Sequence, residues 1–338
     1  MNKKVLLTGI SGYIGNHCAV ELLKNGYSVR GSLRNISKSA KIINTIKKEV
    51  DPKNRLEFCE LNLLDDKGWD DAVKGCDFVM HVASPFINIE PKDENEYIRP
   101  AVDGTMRALN AAKSAGIKRV VLTSSMVSML GSADKSIDVD VETWTNVKGK
   151  NVSAYAKSKT LAEQAAWDFI NAQRDDTKME LAVVNPGPVF GPSLSGDLTG
   201  TSMSMFSQMM KGKMPMVPQA SINMSDVRDI AKIHVLALEN TEASGKRFIV
   251  TTEKPYAFQD VAKILKSNGY NKVSTKLAPN FLLKIMGNIN REAKSMRSFI
   301  GKTYNGDVSS TMKTFDWKPI TFEKTVLDTA KSIESYLN

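Results

Sequence analysis

Apolar positions fall into two rhythms along the first half of this chain. Short unbroken runs rich in β-branched residues cover Lys4 to Thr8, Tyr27 to Leu33, Leu56 to Glu60, Phe78 to Val82, Arg119 to Thr123 and Leu181 to Val184. Runs of this kind, bounded by turn residues, predict strands buried on both faces, as in a parallel sheet. Between them, apolar residues recur every three or four positions. This spacing predicts helices over Tyr13 to Asn25, Ser39 to Val50, Asp70 to Val73, Glu96 to Ala115 and Ser153 to Ala172. Gly26 and Asp51-Pro52 supply the stops for the first two. Strand and helix alternate throughout, which predicts an α/β fold with a doubly wound parallel sheet.

The texture changes after Asn185. Pro186-Gly187-Pro188, Gly191-Pro192, Gly196 and Gly200 crowd together, and a methionine-rich segment follows from Met203 to Met216. Ile230 to Leu238 returns to helical spacing and Arg247 to Val250 reads as one more strand. The expected organisation is a nucleotide-binding part over 1–186 and 222–252. A smaller, mostly helical lobe over 187–221 and 253–338 would hold the substrate. The methionines are open to two readings: ordinary helix core, or the lining of an adaptable apolar pocket.

Candidate chemistry begins directly after the first strand, at Thr8-Gly9-Ile10-Ser11-Gly12-Tyr13-Ile14-Gly15. Strand, glycine loop and helix in that order fit a Rossmann-type dinucleotide site. The glycines allow close approach of a pyrophosphate, and the helix N-terminus offers N–H donors and a positive dipole. The second strand ends Ser32-Leu33-Arg34, with no carboxylate to meet a ribose 2′-hydroxyl. Arg34, with Lys38 and Lys41 close by, suits a 2′-phosphate, so the predicted cofactor is NADP(H). Tyr155 and Lys159 stand four apart on a predicted helix and share a face. An ammonium beside a phenol favours the phenolate, so the tyrosine pKa is expected below its usual value of about 10. A tyrosine tuned in this way can protonate a carbonyl oxygen.

Composition narrows the picture. The chain has 338 residues, 42% of them hydrophobic, enough for a sizeable core. No apolar run reaches the roughly 20 residues of a membrane span, so no membrane association is expected. The net charge of +9 is spread without a basic block or interleaved aromatics, which speaks for a solvated surface rather than a nucleic-acid site. Cys18, Cys59 and Cys76 are scattered and odd in number, with no metal-ligand spacing. A reducing, cytoplasmic setting follows as the expectation. His17, His81 and His234 are isolated and read as packed histidines.

Taken together, Thr8-Gly9-x-x-Gly12-x-x-Gly15, Thr123-Ser124-Ser125 at a strand end and Tyr155-x-x-x-Lys159 resemble an extended short-chain dehydrogenase/reductase. The run Ser158 to Trp167, Glu142-Thr143-Trp144, and Asn185-Pro186-x-x-Val189-x-Gly191-Pro192 resemble its dihydroflavonol 4-reductase branch. Phe315 to Pro319 is similar to the family's closing motif. The resemblance implies an oxidoreductase that reduces aldehydes or ketones to alcohols by hydride transfer. Tyr155 would be the general acid, Lys159 the ribose contact and Ser125 the residue that orients the substrate oxygen. It further implies cofactor contacts from Thr8, Gly9, Ser11, Gly12, Tyr13, Ile14, Gly15, Arg34, Lys41, Asn62, Leu63, Val82, Ala83, Ser84, Tyr155, Lys159, Pro186 and Val189.

Asn62 stands where the family usually has an aspartate, and two further positions depart from the family pattern. Asp103 occupies the helix segment where many extended members carry an asparagine, and Leu130 stands where plant flavonoid reductases carry one. A leucine cannot bond a phenol hydroxyl, and Val127-Ser128-Met129-Leu130 looks more like microbial aldehyde and ketone reductases. The expected partner is a small carbonyl compound. Dimers are common on this fold, and a homodimer fits. A sugar-nucleotide or sterol epimerase or dehydrogenase is the alternative enzyme, and a non-enzymatic nucleotide sensor is disfavoured by the Tyr155–Lys159 pair.

Overall fold

In the computed structural model, residues 3–85, 91–132, 135–150, 152–174, 178–281, 283 and 298–337 are described. Along the chain the strands are β1 (Lys4–Thr8), β2 (Ser28–Leu33), β3 (Leu56–Glu60), β4 (Phe78–His81), β5 (Arg119–Thr123), β6 (Ile137–Val139), β7 (Glu180–Pro186), β8 (Val189–Phe190), β9 (Ser221–Ile222), β10 (Ser225–Asp226), β11 (Lys246–Val250), β12 (Tyr256–Ala257) and β13 (Thr303–Gly306). The described α-helices are α1 (Tyr13–Lys24), α2 (Ser39–Lys47), α3 (Trp69–Val73), α4 (Asn95–Ser114), α5 (Ala154–Asn171), α6 (Thr201–Met210), α7 (Val227–Glu239), α8 (Phe258–Ser267), α9 (Ser309–Phe315) and α10 (Phe322–Ile333).

Seven strands form one sheet in the order β11-β7-β5-β4-β1-β2-β3, every neighbouring pair parallel. Side chains alternate between its faces. Val5 and Leu7 of β1 pack with Leu22 and Leu23 of α1 and with Ile230 and Ile233 of α7. Leu6 between them packs with Ala108 and Leu109 of α4. Both faces are thus apolar, which is why these strands read as unbroken hydrophobic runs. Each such fully buried Leu or Ile contributes about 1.5–3 kcal/mol. The chain winds outward through β2 and β3, then returns to the other side of β1 through β4. The order therefore reverses between β1 and β4, and a crevice opens there at the carboxyl ends of the strands.

Helices predominate in the described part of 253–338, as expected, but short strands also occur that hydrophobic patterning did not predict. A four-stranded sheet runs β12-β9-β13-β6, and β8 pairs with β10 beside it. Its strands are only two to four residues long, too short for a two-residue period to register. β6 lies within 1–186 yet pairs with β13, register Ile137 to Tyr304. α6 turns Met203, Met209 and Met210 into a core shared with Phe190 and Phe206, while Met205 packs on its margin. No helix among the described residues is long and apolar enough to cross a membrane.

Candidate active site

Backbone geometry builds one side of the crevice. Gly9 leaves β1 at φ +71°, and a Cβ there would lie 2.8 Å from the Ala83 Cα. A Cβ on Gly15 would lie 2.0 Å from the Gly9 carbonyl oxygen. The loop is therefore closed so tightly that only hydrogen fits at these positions. Gly12 N–H donates to the Gly9 carbonyl at 3.0 Å and begins α1 with no side-chain cap and no acidic residue in the first turn. The amide donors at the start of α1, over Tyr13, Ile14 and Gly15, thus carry no competing side-chain anion. Ser11 is exposed beside them. Such a cradle presents backbone donors and a helix dipole of the kind that suits an anion.

Strand ends complete that side. Thr8 accepts a hydrogen bond from Ala83 N–H at 3.0 Å and contacts His81 Nδ1 at 2.9 Å, which ties the end of β1 to Val82, Ala83 and Ser84 after β4. Burial and the nearby Lys159 charge push the His81 pKa down to about 3, so it is a neutral packed ring. His17 and His234, each lowered to about 4 by burial, are packed likewise. Arg34, Lys38 and Lys41 lie exposed past the end of β2. Among the described residues neither Arg34 nor Lys41 takes part in an ion pair, and both are open to an anion. Asn62 and Leu63 follow β3. Asn62 Oδ1 accepts from Leu64 N–H at 3.1 Å, and Leu63 rests on Gly104, where a Cβ would come within 2.8 Å.

The opposite side brings together Ser125, Tyr155 and Lys159. Ser125 follows β5 in extended conformation and caps a short 3-10 turn over Met126–Met129. Ser153 caps α5 by accepting from Ala156 N–H at 3.2 Å, which fixes where the helix starts and so which face Tyr155 and Lys159 present. The Tyr155 phenol lies close enough to the Ser125 hydroxyl to feel its pull, and its ring meets Tyr97 edge-on at 6.2 Å between centroids. Lys159 is buried, and its Nζ donates to the Thr123 carbonyl at 3.3 Å. Pro186 ends β7 against this set, its carbonyl 3.4 Å from Ser125 Oγ, and Val189 follows in β8.

One expectation is corrected here. The Tyr155 pKa is raised, not lowered, because burial of the phenol outweighs the opposing influence of the Ser125 hydroxyl. Lys159 is directed to Thr123, and burial draws its own pKa down to about 8 against the opposing pull of Glu163. A raised phenol pKa keeps the proton on the tyrosine at neutral pH, the form an acid needs.

Sequence patterning missed a buried cluster behind this set: Glu163, Arg247, Ser124, Ser128 and Asn185. Arg247 Nε lies 2.6 Å from Glu163 Oε1, and both side chains are buried. One signal was available. Glu163 repeats the four-residue step from Tyr155 to Lys159 on α5. Leu130, 1% exposed, lies in the apolar core with Met126 and Met129.

Comparison with known proteins agrees with this geometry. Residues 5–251 match the model of the NAD dependent epimerase/dehydratase family. A cinnamoyl-CoA reductase, CAD2, of Medicago truncatula is 36% identical over 268 residues, 78% of this chain and 79% of that protein. The NADPH-dependent methylglyoxal reductase GRE2 of Saccharomyces cerevisiae is 33% identical over 283 residues, 78% of this chain and 82% of that protein. The crystal structure of yeast methylglyoxal/isovaleraldehyde reductase Gre2 complexed with NADPH superposes with a TM-score of 0.80 at 27% identity, covering 98% of each chain. With a glycine cradle at the β1–β4 reversal, a Ser–Tyr–Lys set facing it, and a family match over most of its length, the chain belongs to the NAD dependent epimerase/dehydratase family.

Proposed function

We propose that this chain is an NADPH-dependent carbonyl reductase that converts aldehydes and ketones to alcohols. The observation that carries the reading is the Tyr155 phenol close to the Ser125 hydroxyl, with Lys159 one turn along, at the carboxyl end of the sheet that also holds the glycine cradle. Relatives named as NADPH-dependent methylglyoxal reductase and cinnamoyl-CoA reductase support it.

The glycine cradle with Thr8, Ser11, Tyr13 and Ile14 receives the pyrophosphate. Arg34 and Lys41 receive the 2′-phosphate, Asn62 and Leu63 the adenine, and Val82, Ala83 and Ser84 make the strand-end contact to the cofactor. Pro186 and Val189 flank the nicotinamide, and Lys159 holds its ribose. NADPH, when bound, supplies the hydride that reduces the carbonyl carbon. Ser125 hydrogen-bonds the carbonyl oxygen and orients it. Tyr155 delivers its proton to that oxygen as negative charge develops there, and Lys159 stabilises the phenolate left behind. Residues 1–186 and 222–252 form the nucleotide side of this assignment, and 187–221 and 253–338 the substrate side. The free cysteines Cys18, Cys59 and Cys76 fit a reducing cytoplasm, and a homodimer fits the fold.

A panel of aldehydes and ketones, followed by NADPH oxidation with NADH in parallel, tests the activity. Tyr155→Phe is expected to bind NADPH as the parent does and to lose turnover by roughly 100-fold or more. Parent-like turnover in that variant removes Tyr155 from the acid's role, and no oxidation of NADPH with any carbonyl rejects the function.

A further inference from the structure

Tyr155, Lys159 and Glu163 follow one another at four-residue steps on α5 and project from one face toward the end of the sheet. Glu163 is 1% exposed, and its carboxyl group is surrounded by donors. Oε1 accepts from Arg247 Nε at 2.6 Å and from Trp167 Nε1 at 3.4 Å. Oε2 accepts from Ser124 Oγ at 2.5 Å and Asn185 Nδ2 at 2.9 Å, and lies 2.8 Å from Ser128 Oγ. Arg247 is clamped in turn. It donates through Nη1 to the carbonyls of Val141 and Thr143 at 2.8 and 2.9 Å, and through Nη2 to Ser128 Oγ at 3.1 Å. Its guanidinium lies 3.8 Å from the Trp144 ring centroid.

Burying two charges is a poor way to gain stability, since an apolar pair of similar volume often does as well or better. The location of this pair therefore asks for another reason. Ser124 and Ser128 bracket Ser125, and the Ser125 carbonyl accepts from Ser128 N–H at 2.9 Å and from Asn185 Nδ2 at 3.4 Å. Lys159 and Glu163 line the same cavity of about 10 Å³, with Thr123 and Ser124 beside them.

We propose that Glu163, clamped by Arg247, is a positioning residue for carbonyl reduction, holding the Ser124–Ser128 segment so that Ser125 meets Tyr155, and setting a negative charge behind Lys159. The proposal rests on the carbonyl-reductase reading above. It makes the buried ion pair part of the working site, although neither member touches the substrate.

The charge has a definite sign of effect. The groups facing Lys159 are Tyr155 and Glu163 from its own helix and His81 from β4. β5 presents Thr123 and is followed by Ser124, α4 presents Ala101, Thr105 and, against Tyr155, Tyr97, and β11 brings Arg247 behind Glu163. His81 is neutral, so the carboxylate and the guanidinium set the local field. Removing the negative charge loosens the protons of both Lys159 and Tyr155. The alkaline limb of the pH–rate profile must then move to lower pH.

The test is Glu163→Gln, of the same shape without the charge, assayed for kcat and KM from about pH 6 to about pH 10. The expected result is a kcat lower by roughly 10-fold or more, a carbonyl KM within about twofold of the parent, and an alkaline limb displaced downward by about half a pH unit or more. An unmoved limb with parent-like kcat per folded molecule overturns the proposal. If the lone Arg247 charge prevents folding of that variant, Glu163→Gln combined with Arg247→Met removes both charges. That pair is expected to fold and still to lose kcat by roughly 10-fold at unchanged KM. Parent-like kcat in the pair variant also overturns the proposal. A parent enzyme without NADPH-dependent turnover, or an active Tyr155→Phe, would instead sink the underlying function and leave a different signature from a parent-like Glu163→Gln.

Discussion

The two sides of the crevice are built from different materials. The β1 side is backbone: a turn of glycines, an uncapped helix start and a threonine tying two strand ends together. The β5 side is side chain: a phenol, an ammonium and a hydroxyl, backed by a carboxylate and a guanidinium drawn from positions 84 residues apart. Both answer the same problem of holding charge away from water. Amide dipoles at a helix start serve an incoming anion without introducing a charge of their own. A proton-transfer set needs titratable groups, and those must be paired once buried. The backbone side should therefore fail by steric exclusion, and the side-chain side by misplacement and mis-protonation.

The hardest way to break the backbone side is Gly15→Ala. Its Cβ would sit 2.0 Å from the Gly9 carbonyl oxygen, and that atom belongs to main chain with no freedom to swing aside. The loop must open, at a cost of about 3 kcal/mol or more. NADPH binding, followed by nucleotide fluorescence, is expected to vanish within the measurable range, and the melting temperature to fall by several degrees. If Gly15→Ala bound NADPH as the parent does, the cradle would not be the pyrophosphate site.

This contrast also explains what was legible in the sequence. β1, β3 and β5 occupy the spans that apolar runs predict, because strands buried on both faces leave an unbroken hydrophobic record. The glycine loop was legible because its three glycines fall within seven residues, and Gly9 and Gly15 are demanded by local geometry. Tyr155 and Lys159 were legible because one helical turn relates them. Arg247 was not, since only the closed fold brings it to Glu163, and a charged residue opening a strand reads as a solvated end. The direction of the Tyr155 shift was missed for the same reason. Residue spacing shows that an ammonium is near on the helix, but not that Lys159 turns to the Thr123 carbonyl or how much water the phenol loses. β6, β9, β12 and β13 escaped because strands of two to four residues carry too few positions to show alternation.

A smaller effect separates the glycine cradle from the cations beyond it. Arg34 and Lys41 are exposed, so their removal should leave the fold alone and act on cofactor choice. Charge-assisted hydrogen bonds of this kind are worth about 1.5–3 kcal/mol. Arg34→Asp with Lys41→Ala is accordingly expected to reduce the NADPH-over-NADH preference in kcat/KM by between about 10- and 100-fold, with an unchanged melting temperature. Tight NADPH binding retained by the double variant would locate the 2′-phosphate elsewhere.

The smallest expected effect is shared by the two sides and measures them against each other. β1 and β5 each end in a threonine bonded to a buried histidine: Thr8 to His81 at 2.9 Å, and Thr123 to His234 at 2.6 Å. His234 Nδ1 faces the Ile230 carbonyl at 2.8 Å, so that nitrogen carries the proton and Nε2 accepts from Thr123. Both rings are neutral, with pKa values lowered to about 3 and about 4, and His17 on α1 is lowered to about 4. A histidine in the unfolded chain titrates near 6.5, so below that pH the unfolded state binds more protons than the folded one. The stability these rings contribute is present above about pH 6.5 and is lost as the pH falls toward their folded values. Asp229 opposes them. Burial raises its pKa to about 6, so its contribution is present at low pH and lost as the pH rises through that value. Three groups against one leave a net loss of roughly 2 kcal/mol between pH 6.5 and pH 5.5, read as a drop of a few degrees in melting temperature. Substituting His81 by Gln is expected to flatten that slope on the glycine side, and His234→Gln to do so on the serine side, each by about 1 kcal/mol over the same unit. Equal flattening would show that the two strand ends exclude protons alike despite their different construction. A slope unaffected by either substitution would mean that these threonine-bonded rings are not the groups that make the fold acid-sensitive.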